Sequence, residues 1–202
     1  MKKSLSATDN IILDGRAKLL YEAEQLFAEF GYELTSTRLI AARSGLNLSL
    51  INYYFGSKMG LYEEIFKIQL QEINSTLQAI FASSTPASEK LNTFLNRYID
   101  LYSLNSSFLR LLFNEYLIHS KPIIIELIDG YHDENMRILG EIMEEGTKSD
   151  NFKMINASLF YFTIMGVLSA NQYMLVKCDT DHIKKYLFQI IRSERTSLSN
   201  HT

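Results

Sequence analysis

The 202 residues are 47% hydrophobic and 12% aromatic, and the 21% that are charged leave a formal net charge of −3, a balance that allows one small and one larger packed core. A single cysteine, Cys178, excludes an internal disulfide, and the polar stretch Met1–Asn10 lacks the apolar run of a signal peptide, so a reducing, cytoplasmic setting is expected. Two prolines, nine glycines and long helical periodicities without alternating β-branched runs predict an all-α fold.

Residues 1–11 read as a flexible arm in which Lys2 and Lys3 either touch DNA or, the favoured reading, are solvated charges of a frayed terminus. Asp14 opens the first helix, whose inner stripe is Leu19, Leu20, Ala23, Leu26, Phe27 and Phe30 until Gly31; Arg16 and Lys18 lie near its start. Thr35 and Ser36 are good N-cap residues for a short helix carrying Leu39, Ile40 and Ala41. That helix must stop at Gly45, which supplies a left-handed backbone, while the small Ala41 lets a second helix cross closely. Asn47 caps the next helix, where Ile51 and Phe55 form one buried stripe before Gly56. Its opposite face carries Ser49, Asn52 and Tyr53 beside Leu48 and Leu50. This is a poor solvated surface but a reasonable one for a DNA groove, where hydroxyls and amides bond phosphates or base edges and aliphatic groups meet thymine methyls.

Between Glu33 and Glu63 there is no acidic residue, whereas Arg38, Arg43 and Lys58 all fall inside that window. Residues 1–60 carry seven Lys/Arg against six Asp/Glu, and the remainder thirteen against seventeen. DNA is expected to favour the first part, because phosphate neutralisation dominates affinity.

Ser57 then caps a helix that runs to about Phe81 with Leu61, Ile65, Ile68, Ile73, Leu77 and Ile80. At about 25 residues it is a rod of about 38 Å, able to link two domains mechanically. Pro86 marks a break between Ser83 and Ser88; helices follow over Glu89–Leu104, Phe108–His119 and from Pro122 to near Gly146, with a break at Asn105–Ser107 and a polar loop at Thr147–Lys153. The segment Ala157–Val176 is apolar nearly all round, but Ser158, Thr163, Ser169, Asn171 and Gln172 interrupt it. A helix buried at an interface fits better than a membrane span, which needs about 20 apolar residues. Ile183, Tyr186, Leu187, Ile190 and Ile191 give a last amphipathic helix.

Polar groups on these apolar helices are the candidate ligand contacts: Tyr98, Tyr102, Asn114, Glu115, His119, Tyr131, His132 and Tyr161, with Met165 as an adaptable wall. A partly buried Glu115 would favour a cationic or hydrogen-bonding ligand; alternatively it pairs with Arg110, Arg97 or His119 in a structural network. Phe108, Phe113, Phe160 and Phe162 read as core, and Met136, Met143 and Met154 as cavity wall or gap filler. The four histidines have no i,i+4 partner, and Asp129, His132 and Asp133 read as solvated, so no metal site is expected. Without a Gly-rich phosphate loop, a GxSxG elbow or a His-Cys constellation, no catalytic residue or cofactor is expected, and an enzyme is the least supported class.

The run GLNLSLINYYFGSK, preceded by TSTRLIAARS and by AEQLFAEFGYELT, resembles the DNA-binding domain of TetR-type (tetracycline-repressor-like) transcriptional regulators over roughly residues 13–62. The resemblance implies a three-helix helix-turn-helix domain at 12–60. It is joined to a larger helical domain at 61–196 that binds an inducer and dimerises, followed by a tail at 197–202. It places Ser36 and Thr37, with Arg38 beside them, on the helix that meets the DNA backbone. Leu48, Ser49, Leu50 and Asn52 would face bases, and Tyr53 and Lys58 would approach phosphates. Asn52 stands where the family often has an aromatic, and Leu48 and Leu50 are more apolar than usual, which sets the base preference apart. The last two helices would form a four-helix dimer interface, with Gly166 and Ala170 permitting close approach. The expected function is a homodimeric, ligand-responsive repressor of a near-palindromic operator, released by a small-molecule inducer, with the helix beginning at Ser57 as the lever. The alternative is a helical ligand- or partner-binding protein that no longer reads DNA, a reading that rests on Leu48 and Leu50.

Overall fold

The computed structural model describes residues 7–104, 106–150, 152–173 and 178–192, and these form nine helices. In order they are α1 (Ala7–Leu34), α2 (Thr37–Ser44), α3 (Ser49–Phe55), α4 (Lys58–Phe81), α5 (Ala87–Leu104), α6 (Ser106–Ile118), α7 (Pro122–Ser149), α8 (Ala157–Tyr173) and α9 (Thr180–Ile191). The fold is all-α, as the composition predicts. No described helix is long and apolar enough to cross a membrane. The arm residues Lys2 and Lys3, the break at Asn105, the end of the apolar segment at 174–176 and the tail at 197–202 lie outside the described residues.

Packing divides the chain into two compact units. The first comprises residues 7–72 and 106–130, with α1 packed on α2, α3 and α6. Leu19, Ala23, Leu26 and Phe27 recur at helical spacing on α1 and are buried with Ile40, Ile51, Leu61, Phe66 and Phe108. Each such side chain contributes roughly 1.5–3 kcal/mol. Phe30 is a correction to the expected stripe: it is half-exposed in the last turn before Gly31, whose φ of 79° kinks the helix. Ile68 is likewise exposed, because the buried stripe of α4 runs through Leu61, Ile65, Phe66, Leu70, Ile73 and Leu77 instead.

The second unit comprises residues 73–104 and the described residues from 131 onward, with α5 packed on α8. Leu91, Phe94, Leu95, Ile138, Ile142, Phe160, Ile164, Leu168, Ile183, Leu187 and Ile191 supply its core. Asp150, beyond the end of α7, accepts the backbone N–H of Ser88 at 2.7 Å and so caps α5 from a distant part of the chain. The boundaries between units thus fall within α4, between α5 and α6, and within α7, and α6 packs on α1, so the contact division differs from a cut at residue 60.

Other element boundaries also differ from expectation, among them the start of α6 at Ser106 in place of Phe108. Helix α1 is already under way at Ala7, ahead of Asp14. Helix α7 continues into the expected loop as far as Ser149, and the hydroxyls of Thr147 and Ser149 are satisfied within it by the carbonyls of Met143 and Glu145 at 2.8 and 3.0 Å. Helix α5 starts at Ala87, two residues before the expected Glu89.

Candidate functional site

The helix-turn-helix is built by caps and left-handed glycines. Ser36 is the N-cap of α2, its hydroxyl accepting the Leu39 N–H at 3.1 Å, whereas Thr35 turns inward and donates to the carbonyls of α1. Gly45, with φ 67° and ψ 23°, ends α2, and the Leu46 N–H returns to the Ala41 carbonyl at 3.1 Å. The Asn47 side chain accepts both the N–H and the hydroxyl of Ser49 at 2.9 Å, which starts α3. Gly56, with φ 73°, ends α3, and Ser57 caps α4 through the Gly60 N–H at 2.9 Å.

These caps leave one face of α3 open. Ile51 is fully buried, while Ser49, Asn52 and Tyr53 are exposed, Tyr53 to 75%; Leu48 is at the edge of exposure and Leu50 is half-buried. Ser36 and Arg38 are exposed at the start of α2, with Thr37 half-buried. Two nearby basic groups, one of them outside that window, are engaged. Arg43 lies 3.5 Å from Glu22, and Arg16 pairs with Glu64 while its guanidinium sits 5.3 Å from the Phe55 ring centroid.

Lys58 has a partner that the sequence does not suggest. Its ammonium lies 4.1 Å from the centroid of the Tyr32 ring. Burial lowers its pKa; Glu33 opposes that shift and the positive charge of Lys121 adds to it. Tyr32 in turn stacks on Phe27 at 5.6 Å and touches Tyr62 at 4.9 Å.

Residues 19–65, which contain this helix-turn-helix, match the family model described as bacterial regulatory proteins, tetR family. That helix-turn-helix segment is of the tetR type. Among the chain's relatives is the HTH-type transcriptional regulator YttP of Bacillus subtilis, 27% identical over 154 residues that cover 75% of this chain and 73% of the relative. The fold is similar to that of a transcriptional regulator from Saccharomonospora viridis crystallised with choline, with a TM-score of 0.74 and 19% identity over 90% of this chain and 100% of the other. It is also similar to AibR in complex with isovaleryl coenzyme A and operator DNA, with a TM-score of 0.70 and 14% identity over 87% and 97% of the two chains.

The expected ligand contacts do not form one cluster. Asn114, Glu115 and His119 belong to the first unit, where Asn114 and His119 are exposed. Glu115 is buried but bonded internally, accepting from the Tyr62 hydroxyl at 3.0 Å and the Ser120 hydroxyl at 3.2 Å, with the Lys121 ammonium at 3.4 Å. Its counter-charge is therefore Lys121, not Arg110, Arg97 or His119.

Tyr98, Tyr102, Tyr131, Tyr161 and Met165 belong to the second unit. The Tyr131 hydroxyl donates to Tyr98 at 3.3 Å, Tyr98 donates to Tyr161 at 3.2 Å, and Tyr161 meets His132 Nδ1 at 2.5 Å, all buried. Burial raises the Tyr98 pKa well above its ordinary value, and the neighbouring phenols raise it further. The Tyr102 hydroxyl points at the Met165 sulfur at 3.5 Å. His132 is thus a member of this network and is not solvated, while Asp129 and Asp133 remain exposed. Beside it, the buried Asn135 amide donates to the Tyr131 carbonyl at 2.6 Å, while its own oxygen meets no donor among the described residues.

Met143 and Met154, with Gly140, Thr147, Ile155 and Ala157, line a cleft of about 490 Å³. On α8, Phe160 is core, but Phe162 is 60% exposed and shares an outward face with Leu159, Gly166 and Ala170.

Proposed function

We propose that the chain is a ligand-responsive repressor that binds a near-palindromic operator as a homodimer and is released by a small-molecule inducer. The observation that carries the DNA reading is the open face of α3, where Ser49, Asn52 and Tyr53 project without any acidic neighbour between Glu33 and Glu63. Ser49, Asn52, Leu48 and Leu50 are the base-facing set. Ser36, Thr37, Arg38, Tyr53 and Lys58 meet the phosphate backbone.

The outward face of α8 supports dimerisation. Leu159, Phe162, Gly166 and Ala170 repeat at spacings of three and four, so an apolar ridge with two small residues runs along the helix and favours close helix–helix contact. A dimer would present two α3 helices to half-sites about 34–36 Å apart. The inducer is assigned to the second unit, where Tyr98, Tyr102, Tyr131, Tyr161 and Met165 place hydroxyls and a thioether, with His132 and Asn135, among apolar core residues. A mainly apolar ligand with at least one hydrogen-bonding group suits those side chains.

Selection from a random-sequence DNA pool tests this. Enrichment of an inverted repeat is expected. Recovery of no sequence above background would refute it and favour a helical binding protein that does not read DNA.

A further inference from the structure

Lys121 is a buried lysine that none of the roles above uses. It is 7% exposed, and its counter-charge Glu115 is 3% exposed, although both residue types are rarely buried. Its ammonium donates to the Ser120 hydroxyl at 2.8 Å and lies 3.4 Å from Glu115 and 3.8 Å from Glu33. It also stands 4.3 Å from the centroid of the Tyr32 ring, the ring that holds Lys58 at 4.1 Å. The corner between α6 and α7, the end of α1 and the start of α4 therefore converge on one phenol.

The position of that phenol matters. Tyr32 follows the kink at Gly31 and precedes Thr35, whose hydroxyl bonds the Leu26 and Gly31 carbonyls at 3.1 and 2.8 Å. The ring thus belongs to the turn that delivers the N-cap Ser36 and α2. Glu115 cannot drift, because Tyr62 and Ser120 also bond it. A buried ion pair adds little stability over an apolar pair of the same shape, so stability alone does not account for it.

We propose that Lys121, held by Glu115, is a positioning residue for DNA binding: it pins Tyr32 against the α6–α7 corner and thereby fixes both the entry to α2 and the ammonium of Lys58. This rests on the DNA-binding reading above. The corner is then a point at which a change elsewhere in the protein alters operator affinity without touching a DNA contact.

The test is a mutant cycle on the sequence enriched by the wild-type protein. Lys121→Met alone strands the Glu115 charge, so Glu115→Gln/Lys121→Met is used, beside Lys58→Ala and the triple variant. The inference expects about a tenfold loss from the Glu115/Lys121 pair, a similar loss from Lys58→Ala, and less than the product of the two from the triple variant, since the pair acts in part through Lys58. Unchanged affinity in the paired variant, or losses that multiply in the triple variant, would overturn it. Should the paired variant not fold, Tyr32→Leu removes the ring and leaves the ion pair, and the same non-additivity with Lys58→Ala is required. If the wild type enriches no sequence, the DNA-binding reading itself has failed; enrichment by the wild type with full binding by the variants rejects the positioning role alone.

Discussion

Gly60 lies so close to the carbonyl of Phe55 that a β-carbon at position 60 would fall on the oxygen. The first turn of α4 and the end of α3 therefore depend on the absence of a side chain. Gly60→Ala is expected to displace one against the other, costing about 1–3 kcal/mol, and to weaken DNA binding, because the end of α3 would shift. Thermal unfolding and a DNA titration measure both effects; an unshifted melting curve with full binding would mean the junction has slack.

Ser36 separates stability from recognition. Ser36→Ala removes the acceptor of the Leu39 N–H and should cost about 1 kcal/mol. Ser36→Asp restores the cap and suits the helix N-terminus, yet sets a negative charge where phosphates are expected. The aspartate variant should melt like the wild type and bind DNA much less tightly. Equal binding by the two would remove Ser36 from the interface.

Much of this helix-turn-helix is legible in the sequence because its signals are local. Ser36, Gly45, Asn47, Gly56 and Ser57 each act within four residues through a cap or a left-handed backbone, and each has a residue type suited to that task. What stays hidden depends on distant partners. Lys58 and Tyr32 are far apart in sequence, and the partner of Glu115 lies beyond the chain reversal at His119, whose φ is 50°. Helical-neighbour reasoning looked to Arg110 and His119 and so missed Lys121. Likewise, grouping Glu115 with Tyr98 and Tyr161 followed from residue type, which does not report that α6 packs on α1.

Acid should probe the distant cap of α5. The Ser88 backbone N–H, followed by the hydroxyls of Ser88 and Ser149, holds the Asp150 carboxyl below the usual aspartate range. A folded pKa below the unfolded value means that its stabilisation is fully present above the ordinary value of about 3.9 and is lost as pH falls through the lower, folded value. Asp150→Asn should lower the melting temperature at neutral pH, and the difference from the wild type should shrink toward zero in strong acid. A constant difference across pH would exclude the cap.

The α8 ridge gives a direct test of assembly. Phe162 is 60% exposed and Leu159 68%, so Phe162→Glu should leave the fold intact while placing a charge in the proposed dimer contact. Sedimentation should find the wild type dimeric and the variant monomeric at micromolar concentration. A wild-type monomer would contradict the assembly.

The most direct measurement is the affinity of the whole protein for its enriched DNA sequence as a function of salt, for the wild type and for Tyr53→Ala. Tyr53 is 75% exposed, so its removal should change stability by no more than about 0.5 kcal/mol. Saturable binding that weakens steeply with salt, and further with Tyr53→Ala at unchanged stability, is the predicted result. Binding that ignores both salt and Tyr53 would contradict the claim that the open face of α3 reads DNA.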